Sequence, residues 1–338
     1  MATQVLPSPP RQTANPAPAR SAALVRRTSS IDVSWPEGIE NHRLFIGRVR
    51  DYLTPAGGGA GKVVDEAEFR ADLSTDKTIT AIAATPPVPG IDQLVGVRGG
   101  NHLRLFIKER MPELISSGAP LYLALDDISG TALVSAFAWS QWHEDWAERI
   151  KQSIPAEQFE KMMVDRVNVC WGLQEGNSGM QPGGPPRNVA DADAGDLRNP
   201  ADPEGWHALP ESDGPGFRRA RRIDVTRDEA AGVVRINSSF QDSAKRKTGG
   251  RVAIHEYNLV ATVDPVTGEL LTLDPEARIL PFWECPGAIN NAKGLVGTNI
   301  ADIRETVLEQ LRGPKGCTHL NDAMRALAEV PKLAGMLG

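Results

Sequence analysis

The sequence predicts an α+β fold: two diverged copies of one antiparallel-sheet-plus-helices module, related by pseudo-two-fold symmetry, with a helical insert between them. Three observations carry this expectation. Arg26-Arg27-Thr28-Ser29-Ser30-Ile31-Asp32-Val33-Ser34 aligns with Arg218-Arg219-Ala220-Arg221-Arg222-Ile223-Asp224-Val225-Thr226, sharing the Arg-Arg pair and Ile-Asp-Val. Matches continue downstream in the same order: residues 65–73 against 255–263, Pro89-Gly90 against Pro286-Gly287, and Leu94-Val95-Gly96 against Leu295-Val296-Gly297. Period-two alternation of apolar residues, the mark of a half-buried strand, gives way in the second region to helical spacing at Ile300, Ile303, Val307 and Leu311.

Along the chain, residues 1–26 read as a flexible tail: the first 27 residues hold five prolines, four arginines and no acids. The first module spans residues 27–130, with strands at 44–53, 63–73 and 78–83 and a helix at 102–115. The insert, residues 131–171, places Trp139, Trp142 and Trp146 on one helical stripe. Residues 172–217 form an acidic loop; from 172 to 216 it has sixteen Gly or Pro residues and eight acids against two arginines, too little apolar surface for a core of its own. The second module, residues 218–338, carries strands at 222–226, 233–240, 252–263 and 269–273, then helices at 300–311 and 321–330.

Composition narrows the function classes. Hydrophobic residues are 41% and charged residues 24%, as in globular proteins. No apolar run approaches the ~20 residues of a membrane-spanning helix, so no membrane partner is expected. The net charge of −6 argues against nucleic-acid binding, which needs a basic surface. Three cysteines without CxxC spacing and no signal-peptide core point to the reducing cytoplasm. A homodimer is compatible with all of this.

Common signatures fail. Ala56-Gly57-Gly58-Gly59-Ala60-Gly61-Lys62-Val63 lacks the first Gly and final Ser/Thr of a phosphate loop and reads as a hairpin loop. His143-Glu144 and His255-Glu256 lack the second histidine of a zincin helix, since Ala147 and Leu259 stand there. There is no GxGxxG and no GxSxG, so no cofactor is expected.

Residues from about 218 to 330 resemble the bacterial domain-of-unknown-function family 2889. The resemblance rests on Arg221-Arg222-Ile223, Ile254-His255-Glu256, Cys285-Pro286 and Gly316-Cys317-Thr318-His319-Leu320. It departs from the family pattern at the short basic segment Lys245-Arg246-Lys247. The resemblance implies no established activity. The family's frequency in bacteria that degrade aromatic compounds implies an aromatic substrate class.

Alternation along residues 252–263 puts His255, Tyr257, Leu259 and Ala261 on the apolar face, and the duplication puts Asp65 at the place of His255. His255, Tyr257 and Asp65 are therefore the expected catalytic residues, because an inward imidazole beside a carboxylate suits general acid–base work. Trp139, Trp142 and Trp206 are expected to form an aromatic wall, with Arg222 holding an anionic group. Cys285, Cys317, His319 and His255 have zinc-ligand chemistry but irregular spacing, and no metal is expected. The reading is a cofactor-independent lyase or elimination enzyme acting on a small, lignin-type aromatic molecule. The alternative is a non-catalytic protein that binds or carries such a ligand.

Overall fold

The computed structural model describes residues 16–57, 59–153, 155–180 and 192–338. Its centre is one eight-stranded antiparallel sheet in the order β4-β3-β2-β1-β5-β6-β7-β8. The strands are β1 (Leu24–Ser34), β2 (Arg43–Thr54), β3 (Lys62–Leu73), β4 (Ile79–Thr85), β5 (Gly216–Asp228), β6 (Val233–Lys245), β7 (Arg251–Val263) and β8 (Leu270–Ile279). The phosphate-loop lookalike joins β2 to β3, apart from Gly58, which lies outside the described residues.

The two four-strand halves are thus not separate sheets. β1 and β5 pair along their whole length, with Leu24 opposite Thr226 and Ser34 opposite Gly216. Charge specifies this register: Arg26 donates to Asp224 at 2.7 Å, and Arg218 donates to Asp32 at 2.6 Å. The arginine run of residues 218–222 therefore lies in the middle of the sheet. The residues expected as a tail are partly structured as well. β1 begins at Leu24, Ala17 is buried against Trp206, and Arg20 grips Asp202 at 2.6 Å; residues 1–15 lie outside the described residues.

Helices cover one face. α1 (Asn101–Arg110), α2 (Pro112–Ser116) and α3 (Pro120–Val134) follow the first four strands. The expected insert is α4 (Phe137–Ser140), α5 (Trp146–Ser153) and α6 (Ala156–Asp165). After β8 come α7 (Ala288–Ala292), α8 (Ile303–Gln310), α9 (Thr318–Arg325) and α10 (Val330–Gly335). α3 packs on β1, β2 and β3, α9 packs on β7, and α10 reaches β1 and β5. Alternate strand residues such as Phe45, Phe69, Ile223, Phe240 and Tyr257 fill the space beneath them. Each half also closes its β-to-helix connection in the same way. The Gly96 N–H donates to Ile79 O at 2.8 Å, and the Gly297 N–H to Leu270 O at 2.8 Å. Both glycines have φ near +90°, where a side chain would be strained.

The opposite face is polar. It is crossed by residues 192–213, anchored by Trp206 over Ala220 and by His207, whose ring nitrogens meet Thr28 Oγ1 and Ser30 Oγ, both at 2.8 Å. The part of the acidic loop from 181 to 191 lies outside the described residues. Among the described residues no helix is long and apolar enough to cross a membrane.

Candidate functional site

Alternation sends the neighbours His255 and Glu256 to opposite faces of β7, and each face carries a cluster.

On the helix face, β6 turns Asp242 toward β7, where His255 stands opposite it in register. His255 Nδ1 lies 3.2 Å from Asp242 Oδ2. The first turn of α9 lays His319 on top, its ring stacked on His255 at 3.4 Å between centroids and its Nε2 at 3.9 Å from the same oxygen. Arg219 from β5 holds Asp242 from the other side through two hydrogen bonds of 2.8 and 2.9 Å. Burial works against the Asp242 carboxylate, but the Arg219 charge and the His255 hydrogen bond hold it well below the usual range. Burial lowers both imidazoles, His319 further because His255 sits against it, with Asp242 only partly offsetting this. Both rings are therefore neutral near pH 7, with a lone pair to offer.

A chain of buried ions continues from Arg219 under the helices. Arg219 reaches Asp322 at 3.0 Å, Arg221 grips Asp127 at 2.8 Å, and Arg325 grips Asp126 at 2.5 Å. Arg27 binds Asp51 and Glu329, both at 2.6 Å, and Arg104 bridges Asp126 and Asp322 at 3.0 Å. Arg304 completes the set on Glu329 and Asp126.

On the open face a cleft of about 490 Å³ lies between the sheet and residues 16–18 and 196–206. Glu256, 1% exposed, lies in its lining and accepts a 3.0 Å hydrogen bond from Gln241. Ser239, Asn258 and Arg222 add polar groups, and Leu197 and Trp206 an apolar wall. Arg222 is oriented by Asn237 Oδ1 at 2.6 Å and by Asp224.

The expected site is divided by this arrangement. Trp206 and Arg222 both line the cleft. Trp139 and Trp142 do not join them, because they belong to the helix face. Trp139 packs edge-on against Trp35 at 5.8 Å, and Trp142 donates to Lys245 O at 2.9 Å. Asp65 does sit opposite Asp51 on β3 as His255 sits opposite Asp242 on β7. But the sheet order puts five strand intervals, roughly 24 Å, between β3 and β7, so Asp65 cannot orient the His255 ring. Tyr257 does share the face of His255, but it is fully buried and its hydroxyl donates to Cys317 Sγ at 3.3 Å. Burial pushes the Cys285 and Cys317 thiols up, away from the thiolate a metal requires.

Sequence reasoning missed Asp242 and passed over Glu256. The strand read as ending at Phe240 continues to Lys245, and the alternation of Val234, Ile236 and Phe240, extended by two residues, would have placed Asp242 on the His255 face.

His207 yields a pH prediction. Burial, with Arg50, Arg48 and Arg218 nearby, pushes it down to about 3. In the unfolded chain it takes its proton near 6.5. Between those values the unfolded state binds more protons, so stability falls as the pH drops from 6.5 toward 3, by about 1.4 kcal/mol per pH unit below 6.5. Urea unfolding across this range should show that slope. His207→Gln, which keeps partners for Thr28 and Ser30, should flatten it; an unchanged slope would assign acid sensitivity elsewhere.

Residues 217–332 match the family described as Protein of unknown function (DUF2889). No curated protein and no solved structure matches the chain.

Proposed function

We propose that the chain is an enzyme that holds a small aromatic molecule in the open-face cleft and acts on it by lyase or elimination chemistry, with Glu256 as the acid–base group and no organic cofactor. The observation that carries this reading is a buried carboxylate lining a cleft of about 490 Å³, inside the range of about 300–1,000 Å³ typical of small-molecule sites. Trp206 and Leu197 suit an aromatic body, and Ser239, Asn258 and Arg222 suit hydroxyl, ether or acidic substituents. Glu256 takes a proton from the carbon next to a C–O bond. The released pair forms the double bond as the C–O bond breaks, and Glu256 returns the proton to the leaving oxygen. The reaction consumes no redox equivalent. We place it in the cytoplasm, since the three cysteines are all free.

The two halves are, in this reading, diverged copies of one module. The reciprocal Arg26–Asp224 and Arg218–Asp32 pairs, the Arg27–Asp51 and Arg219–Asp242 pairs, and the matching Gly96 and Gly297 turns support it. Divergence then left imidazoles at 255 and 319 in the second copy alone.

Incubating the protein with lignin-type aromatic monomers and dimers and following product by mass spectrometry tests the proposal. Ser239 points into the cleft from β6, so Ser239→Phe fills the cleft from outside the core. Loss of binding and turnover with an unchanged melting temperature is expected. A Ser239→Phe protein with full activity would place the site elsewhere.

A further inference from the structure

We propose that Asp242, His255 and His319 form a binding site for a divalent transition-metal ion of the zinc type, which ties α9 to strands β6 and β7. One ligand atom from each residue lies within 4.8 Å of the other two. Ligand bonds of about 2.0–2.1 Å in a tetrahedral site put neighbouring donors roughly 3.3 Å apart. His255 Nδ1 lies 3.2 Å and His319 Nε2 3.9 Å from Asp242 Oδ2, so the donors are near the required spacing and a side-chain rotation of His319 brings its lone pair to the ion. Two imidazoles and a carboxylate are the donor set of zinc and its first-row neighbours; calcium and magnesium prefer all-oxygen sites.

The surroundings are those of a supported site. A ligating carboxylate and imidazole are normally held by outer partners. Arg219 fixes Asp242 through two hydrogen bonds, and Thr318 Oγ1 lies 3.3 Å from His319 Nδ1, the ring nitrogen turned away from Asp242. Arg219, a cation close to the site, is shared among Asp242 at 2.8 Å, Asp322 at 3.0 Å and Asp127 at 3.8 Å, so it neutralises the Asp242 carboxylate only in part. The two rings are stacked, with 17° between their planes and 3.4 Å between centroids, so the His319 ring must turn for both in-plane lone pairs to meet one ion. The site is independent of the cleft, which lies on the other face of β7.

The experiment uses the full chain, stripped with a chelator and titrated with Zn²⁺ by calorimetry and with Co²⁺ by visible absorption. One equivalent of each should bind and raise the melting temperature. The Co²⁺ spectrum should lack thiolate-to-metal charge transfer, since no cysteine is a ligand. His319→Ala, at the start of α9 with its side chain 12% exposed, should abolish the uptake while keeping the fold, and Cys317→Ser should retain it. No stoichiometric uptake by the wild type, equal uptake by a folded His319→Ala, or loss in a folded Cys317→Ser would each overturn the proposal. If His319→Ala fails to fold, His255→Gln measured in the same way decides.

Discussion

Arg219→Met is expected to cost about 3–5 kcal/mol of unfolding free energy. Arg219 is 1% exposed, and three acids depend on it: Asp242 at 2.8 Å, Asp322 at 3.0 Å and Asp127 at 3.8 Å. Its guanidinium also lies 4.9 Å over the Phe240 ring. Methionine fills much of the volume but cannot hold the acids, and a buried carboxylate without its cation keeps its full desolvation cost. Asp127 retains Arg221 and Asp322 retains Arg104, so the orphan is Asp242, left with only the imidazoles of His255 and His319. The loss should read out in urea unfolding as a lowered midpoint with an unchanged slope. A change below about 1 kcal/mol would mean that the buried ions are replaceable as apolar packing is. By contrast, Lys108→Ala, which breaks an exposed pair with Glu305, should change little.

The reason lies in how this sheet is built. Six arginines (27, 104, 219, 221, 304 and 325) meet six acids (51, 126, 127, 242, 322 and 329) between the sheet and the helices. Buried pairs of this kind add little net stability over apolar packing, but removing one partner is costly. They also specify register: sliding β5 by one residue along β1 would put Arg218 and Asp224 out of reach of Asp32 and Arg26.

Much of the fold was legible because its strands alternate. Residues 252–263 were read within one residue of β7, and 63–73 within one residue of β3, since period-two patterning shows wherever one face is apolar. β5 was read as only five residues, 222–226. Its first half is an arginine run that is buried on both faces through ion pairs, and charge in a sequence reads as surface. The same property hid the pairing of β1 with β5, so the halves were expected to meet about an axis and not to share a sheet. The site was less legible. Trp206 and Arg222 line one cleft, but the helix-face tryptophans were grouped with them by residue type, and Asp65 was set beside His255 by the duplication alone. Alternation alone settles which face a residue takes; strand order settles which residues meet, and no local pattern encodes strand order.

Glu256 and Tyr257 are adjacent on β7 and face opposite sides, which makes them the sharpest comparison available. Glu256→Gln keeps the size and the hydrogen-bonding reach toward Gln241 but cannot accept a proton, so turnover should fall by about 10²–10⁴-fold while substrate binding persists. Tyr257→Phe removes only a hydroxyl that touches Cys317, so turnover should be retained. The deciding measurement is the rate of product release by these two variants and the wild type on whichever aromatic substrate the screen returns, each protein checked for an unchanged melting temperature. Loss in Glu256→Gln with retention in Tyr257→Phe would place the chemistry in the open-face cleft. Full activity in Glu256→Gln with loss in Tyr257→Phe would contradict the account and move the chemistry beneath the helices.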